Sequence, residues 1–443
     1  MKAGFSEIEY TPIQGFMPGQ FSASLAKGSY TPLQANAAAF ENEGTVVILI
    51  SADHLFFPTD YATAIRKEIS DATGVPMQNV LLAATHTHTG PALDCAFWKT
   101  PGEPEIAQVV AHRIVKSGVE AFKSMQSGAA LSVASAEESR FSFCRLARLE
   151  DGSIATNPGY DRADVVCPYD EPDHTVEILR VTRDKKTLAI LVNFANHPDT
   201  NYATAGMTRE RNKFCADWPG FMRLALKEAY GEDVVVLFFN GCCGDVNQFD
   251  FFHKSNLALH TAPGVITPEC IGRGMAETIT RALDAVTETE RDETITVEEK
   301  TLTVNRRQLT DEELAWAKDT VERAKTEYLP IWEIETATAC LRDGQNVPAT
   351  EPFVLTGYRV GPWGMLAMPG EMFSLIGKEL KRNSPFAHTV PVELANGLHG
   401  YVIPDEVRAS GAYEGRFTSG TTGAGTADAV IAGGAELLKK IYG

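Results

Sequence analysis

The sequence predicts an α/β fold: one large domain, residues 1–443, with a mostly parallel or mixed central β-sheet built from βαβ units. Two observations predict it. Short apolar, β-branched runs recur along the 443 residues, and such runs read as fully buried strands. Helical patterns separate them at the spacing of a strand–helix–strand crossover, which joins parallel neighbours. The composition agrees, since 44% hydrophobic and 22% charged residues exclude a collagen, a coiled coil and a disordered chain.

The first strand of this kind is Thr45-Val46-Val47-Ile48-Leu49-Ile50. A helix is predicted from about Asp60 to Ala72, with Thr59 as N-cap and Gly74 as its stop. Asn79 to Ala84 is the next strand, closing one βαβ unit. The pattern returns at Thr187 to Ala195 (strand), Pro219 to Tyr230 (helix) and Val234 to Phe239 (strand). Asp217 lies near the N-cap of that helix and Pro219 in its first turn. A third round runs through Met365 to Met368, a helix from about Met372 to Lys381, and Val390 to Leu394. The stretch 287–346 is charge-rich, with a surface helix expected from about Asp311 to Tyr328. Its expected role is a scaffold or an oligomer contact, with a substrate lid as the lesser alternative. Gly420 to Gly425 is glycine-rich but lacks the Lys-Ser/Thr of a phosphate loop. It is expected to lead into an apolar helix from about Ala427.

Length alone, at roughly 150 residues per domain, allows about three domains. Forty Lys+Arg stand against fifty-eight Asp+Glu, for a net charge of −18. That balance speaks against nucleic-acid partners and anionic membrane surfaces, whose phosphates would be repelled. No apolar run reaches the ~18–20 residues of a membrane span, so stable membrane insertion is not expected. The N-terminal stretch carries no apolar signal-peptide region. The eight cysteines, Cys95, Cys144, Cys167, Cys215, Cys242, Cys243, Cys270 and Cys340, follow no CxxC spacing. They read as reduced thiols in a cytoplasmic protein. The expected partner is a small-molecule substrate; the oligomeric state is open.

In parallel α/β sheets, ligands bind beyond the carboxyl ends of the strands. After Asn79–Ala84 comes Thr85-His86-Thr87-His88-Thr89-Gly90-Pro91. If that segment is extended, His86 and His88 share one face. They could share a metal, or one could ligate while the other handles protons. Asn196-His197-Pro198-Asp199 follows the strand of the second unit, and Glu371 follows that of the third. Glu371 is also acceptable as a plain first-turn acid of a helix. Asn396 to Tyr401 follows the last strand. Two histidines, a glutamate and an open position make a catalytic zinc set, which a tyrosinate could complete. Cys215, expected just before a helix N-terminus, is either a stabilised thiolate or a small buried hydrophobe. Asn240 to Asn247 ends a further strand, and the pair Cys242-Cys243 within it reads as packing.

These motifs, in this order, resemble the catalytic domain of the neutral/alkaline non-lysosomal ceramidase family. The residues that carry the resemblance are Ser51-Ala52-Asp53, Ala84 to Pro91, Asn196-His197, Cys215 to Gly220, Asn240 to Asn247, Pro369-Gly370-Glu371 and Gly400-Tyr401-Val402. They span nearly the whole chain. The resemblance implies a zinc (Zn2+) amidase fold, with His86, His197, Glu371 and Tyr401 as metal ligands. It makes His88 the acid/base beside the metal and places Arg145 near the substrate carbonyl. It matches Asp217 to the acid of the family's Ser-Gly-Asp-Asn segment.

Two departures accompany it. The family's serine in that segment falls on Cys215 and its glycine on Ala216. No counterpart of its C-terminal immunoglobulin-like domain is expected here, as in the short bacterial members, whose substrates need not be sphingolipids. Three functional readings follow. The first is a zinc hydrolase of an N-acyl amide, or of an ester, lactone or carbohydrate derivative. In it Cys215 orients water or substrate. The second moves the chemistry to Cys215 as a thiolate forming an acyl-enzyme. The third is a metal-bearing binding protein without turnover.

Overall fold

A computed structural model describes residues 1–20, 23–93, 100–200, 212–252, 266–287, 289–344 and 346–443. Cys95 lies outside the described residues. The three expected βαβ units are all present, but they lie in three mixed sheets rather than one.

The first sheet holds β1 (Lys2–Glu9), β2 (Gln34–Asn42), β3 (Thr45–Ala52), β4 (Val80–Ala84) and the short β5 (Gln126–Ser127), in the order β4-β3-β2-β1-β5. Helix α1 (Thr59–Thr73) joins β3 to β4, which pair in parallel from Ile48↔Val80 to Ala52↔Ala84. The other pairings are antiparallel. Helix α2 (Pro104–Lys123) lies beside α1, and Ile65, Ile69, Val110 and Ile114 seal both helices onto the sheet. Gly74, at φ +75, stops α1 in the left-handed conformation that favours glycine.

The second sheet holds β6 (Ala130–Glu137), β7 (Thr175–Arg183), β8 (Lys186–Phe194) and β9 (Val235–Asn240), in the order β9-β8-β7-β6. Helix α3 (Asp217–Tyr230) lies between β8 and β9, which again pair in parallel. Helix α4 (Pro268–Asp284) packs beside α3 through Trp218, Met222, Ile271 and Met275.

The third sheet holds β10 (Ile295–Asn305), β11 (Thr350–Val360), β12 (Trp363–Ala367) and β14 (His388–Val392), with β12 and β14 parallel. Between β12 and β14 come β13 (Glu371–Met372) and α7 (Ser374–Asn383). Strand β13 pairs with β15 (Tyr401–Val402). Helix α8 (Thr426–Tyr442) packs with α7 on this sheet through Ile376, Leu380, Val430 and Leu437. The charge-rich segment between β10 and β11 forms two helices, α5 (Asp311–Arg323) and α6 (Ile331–Asp343). The single helix expected to Tyr328 therefore stops earlier. A capping box of Thr310 and Glu313 starts α5, and Pro330 precedes α6.

The sheets are more antiparallel than the sequence predicts because tight turns precede the parallel pairs. Gly44 (φ +84) turns β2 into β3, and Asp184 and Lys185 (φ +50 and +68) turn β7 into β8. A positive φ at both central residues is the hairpin turn that matches strand twist.

One apolar cluster draws on all three sheets, with Phe40 and Leu49 from the first, Leu191 and Phe239 from the second, Tyr358 and Met365 from the third. Buried amides join their strands. Asn36 Nδ2 donates to Val236 O at 2.8 Å. Asn193 Nδ2 donates to Phe239 O and to Pro391 O, both at 2.9 Å. Each replaces a water contact that burial removed. Among the described residues no helix is long and apolar enough to cross a membrane. The seven described cysteines are free.

Candidate metal centre

Each sheet delivers one ligand-type side chain at the carboxyl end of its parallel pair: His86 after β4, His197 after β8 and Glu371 after β12. They meet. His86 Nε2 lies 3.4 Å from Glu371 Oε2, and His197 Nε2 lies 3.7 Å from the same oxygen. His88 completes the group, its ring centroid 4.9 Å from that of His86 and 5.8 Å from that of His197. One ring nitrogen from each of the three histidines falls within a 4.8 Å span.

The segment after β4 is not extended, as the shared face of His86 and His88 would require. His86 has φ +73, a conformation strained for a residue with a Cβ. Two hydrogen bonds hold it there: its N–H to His54 O at 2.9 Å and its Nδ1 to Leu55 O at 2.7 Å. The left-handed turn, rather than strand alternation, brings the two rings together. His88 Nδ1 meets Gly19 O at 3.0 Å. A Cβ at Gly19 would sit 2.6 Å from the His88 backbone, so only glycine allows that approach. His197 Nδ1 meets Cys243 O at 2.8 Å.

All three histidines thus give Nδ1 to a backbone carbonyl, which places the proton on Nδ1 and the lone pair on Nε2. His86 Nε2 and Glu371 Oε2 are buried without a hydrogen-bond partner. Unsatisfied buried polar atoms are rare and costly. Here a nitrogen and a carboxylate oxygen face each other inside the protein, and the donor set fits a divalent cation.

Glu371 was expected as a possible first-turn acid of a helix. The helix starts at Ser374, and Glu371 stands instead in β13, directly opposite Tyr401 of β15. Arg145 bridges the group. Its Nη2 donates to Tyr401 Oη at 2.9 Å, its Nη1 lies 3.4 Å from His197 Nε2, and its Nε donates to Glu414 Oε1 at 2.9 Å. Burial drives the Tyr401 phenol well above its ordinary value, with Arg145 opposing.

Cys215 and Asp217 sit at the start of α3. The Cys215 thiol meets Thr31 Oγ1 at 3.4 Å and accepts the Asp217 N–H at 3.2 Å. Burial, with the Asp217 carboxylate adding to it, pushes the thiol up to about 12. The expected helix-terminus stabilisation of a thiolate loses to desolvation. Asp217, at φ +53, takes the Trp218 N–H at 2.7 Å and the Thr200 hydroxyl. Trp218 Nε1 in turn donates to His197 O at 3.3 Å. Asp217 therefore shapes the turn that carries His197.

Three further residues emerge only in the structure. Glu393 accepts the N–H of Met372 at 2.8 Å and the N–H and S–H of Cys243 at 3.2 and 2.9 Å. Burial raises it to about 8. Cys243, read as packing, holds His197 through its carbonyl. Glu414 ties Arg145 to Thr156. A lone acid in a strand or loop carries no sequence signal for such roles.

A cleft of about 410 Å3 reaches Glu371 and Tyr401. Helix α6, Arg306, Arg307 and the stretch Phe417–Thr421 line it. The charge-rich segment, expected as scaffold, thus stands over the site. The glycine-rich loop joins the wall of the cleft through the bridge Gly400↔Gly420. A Cβ at Gly420 would lie 2.8 Å from Tyr401 O.

The same fold occurs in solved structures. A crystal structure of neutral ceramidase from Pseudomonas aeruginosa superposes with a TM-score of 0.71 at 16% identity, covering 100% of this chain and 74% of that one. A structure titled as ceramidase complexed with C2 gives 0.70, 16%, 100% and 75%. The fold is that of the neutral ceramidases. No protein-family model and no curated protein matches the sequence. The neutral ceramidase fold accounts for the mixed sheets and for the strand ends that meet at the histidines. What those residues do is argued from their own chemistry.

Proposed function

We propose that the protein is a zinc-dependent hydrolase of an N-acyl amide bond in a small-molecule substrate. The observation that carries this is the convergence of His86 Nε2 and His197 Nε2 on Glu371 Oε2, with two of the three atoms buried and unpartnered. In this reading His86, His197, Glu371 and Tyr401 hold Zn2+. Such an ion, when bound, polarises an acyl carbonyl and lowers the pKa of bound water to about 7. The amide-hydrolase class is supported by the neutral ceramidase fold.

Amide hydrolysis needs a donor for the carbonyl oxygen and a group that carries a proton from water to the leaving nitrogen. Arg145, buried and fixed by Glu414, supplies donors beside Tyr401. His88, fixed through Nδ1 by Gly19 O, can take a proton at Nε2 and return it. Cys215 and Asp217 position the turn at α3. The thiol's burial supports this role rather than a thiolate nucleophile. The seven described cysteines, all free, support a reducing compartment, the cytoplasm.

The test is elemental analysis of protein purified without chelators, together with His86→Ala and hydrolysis of N-acyl, ester and lactone panels. Near-stoichiometric zinc in the wild type is expected, with metal and turnover both lost in the variant. No zinc in the wild type, or full occupancy in His86→Ala, would overturn the proposal.

A further inference from the structure

Several residues around the cleft over Glu371 and Tyr401 carry buried polar atoms with no hydrogen-bond partner: Arg306 Nε, Arg307 Nε and Thr418 Oγ1, besides Glu371 Oε2 itself. Such atoms are scarce in native proteins. Two partly exposed arginines that line a single cavity, their side chains each paired with one carboxylate, point to a ligand that accepts from their remaining N–H groups.

The two arginines are only partly neutralised. Arg306 Nη1 pairs with Glu351 Oε2 at 3.0 Å, while Glu351 also takes His399 Nδ1 at 3.3 Å and the Thr421 hydroxyl at 2.8 Å. Arg307 pairs with Glu313, which already caps α5. Each guanidinium has five N–H donors, so these pairs leave capacity for an anion. Arg408 is pushed below its ordinary value by burial and by Arg307. At the rim, Arg342 is forked by Asp343 at 2.8 and 2.6 Å and neutralises itself. In a chain of net charge −18, adjacent half-buried arginines that line the same cleft as Glu371 and Tyr401 stand out. The volume of about 410 Å3 suits one small molecule.

We propose that this cleft takes an N-acyl substrate bearing an anionic group, a carboxylate or a phosphate, which Arg306 and Arg307 hold while its amide reaches Glu371 and Tyr401. This rests on the hydrolase reading above. Arginine presents paired donors that match both anions. The class of reaction that supplies such a substrate is acyl transfer to an amino acid or an aminoalkyl phosphate.

The experiment compares matched probes on the metal-loaded protein: N-acetylglycine and N-benzoylglycine against their neutral amides, and N-acetyl-O-phosphoethanolamine against N-acetylethanolamine. Calorimetric Kd and kcat/KM are read for wild type, Arg306→Gln and Arg307→Gln. Wild type should favour one anionic series by about 10- to 100-fold, the range for hydrogen bonds to a charged group. The preference should collapse toward one in the variants. The series preferred tells carboxylate from phosphate. Should a glutamine variant fail to fold, the wild-type preference and Arg307→Lys still decide. Hydrolysis with no charge preference overturns this inference and leaves the hydrolase reading standing. Charge-dependent binding lost in the variants, with no turnover of any amide or ester, overturns the hydrolase reading and leaves the arginine assignment standing. Neither binding nor turnover of any probe overturns both.

Discussion

Replacing Asp53 with alanine should destabilise the protein strongly and loosen His86 with it. Asp53 follows β3, fully buried, and takes Arg223 Nη1 at 2.9 Å and Arg223 Nη2 at 2.5 Å. It also accepts the Gln34 N–H at 2.8 Å and the Thr85 hydroxyl at 3.2 Å. The alanine variant leaves a buried guanidinium unpaired and two more donors unsatisfied. Breaking one side of a buried pair costs about 3–5 kcal/mol. Replacing both partners by apolar residues, Asp53→Leu with Arg223→Met, removes the stranded charge. The double variant should then lose less than the sum of the single losses by about 2 kcal/mol. The assay is urea denaturation followed by tryptophan fluorescence, with zinc content measured on the same samples. Zinc enters because the next residues, His54 and Leu55, supply the two carbonyls that hold His86 in its left-handed turn. Additive losses, or a loss below about 1 kcal/mol for Asp53→Ala, would refute the reasoning, since the pair would then behave as a solvent-exposed one.

Two other outcomes follow from buried groups. Alkylation of the native protein by iodoacetamide should label exposed Cys167 while sparing buried Cys215. Cys215→Ala should lower kcat about tenfold or less, the loss of one hydrogen bond, whereas a drop beyond about a thousandfold would restore the thiolate nucleophile. Burial raises Asp245 from 3.8 to about 6, against the Ser374 hydrogen bonds that favour its charged form. Between those values the folded state holds a proton that the unfolded state has released, so this group's stabilising contribution falls as pH rises. Relative to wild type, Asp245→Asn should gain about 2 kcal/mol from pH 4 to pH 7, at about 1.4 kcal/mol for each pH unit between the two values. Parallel stability curves in urea melts at pH 4, 5, 6 and 7 would contradict it.

The three parallel pairs and their helices were legible because buried parallel strands are unbroken apolar runs, and the crossover sets their spacing. Their antiparallel neighbours were less so. Strands such as Ala130–Glu137 and Thr350–Val360 mix polar and apolar residues, and hairpin turns at Asp184 and Lys185 carry no glycine to announce them. In the site, His86, His88 and His197 stood out because histidine is rare at a strand end. Glu393 and Glu414 did not, since a single acid looks alike in a solvated loop and a buried network. The meaning of 287–346 was hidden for a different reason. Its helices are amphipathic and charged wherever they sit, and only the packing of Ala317, Ala337, Cys340 and Phe417 places them over the cleft.

Three sheets could bury their apolar faces without bringing three polar strand ends to one point. That they do so here has a local cost. His86 and Asp217 both sit at positive φ, where a residue with a Cβ pays about 1–3 kcal/mol. Neither turn is needed to close a strand pair, since β4 ends at Ala84 and β8 at Phe194 before either begins. The first turn faces His86 toward Glu371. The second sits where Trp218 can bind the His197 carbonyl. Both are over-determined by buried hydrogen bonds from a second sheet or helix: Arg223 of α3 clamps Asp53 beside the first, and Thr87 and Thr89 beyond His86 clamp the Cys215 carbonyl beside the second. Strain held at two points by reciprocal contacts is explained by a requirement on where the rings point, which packing alone does not impose.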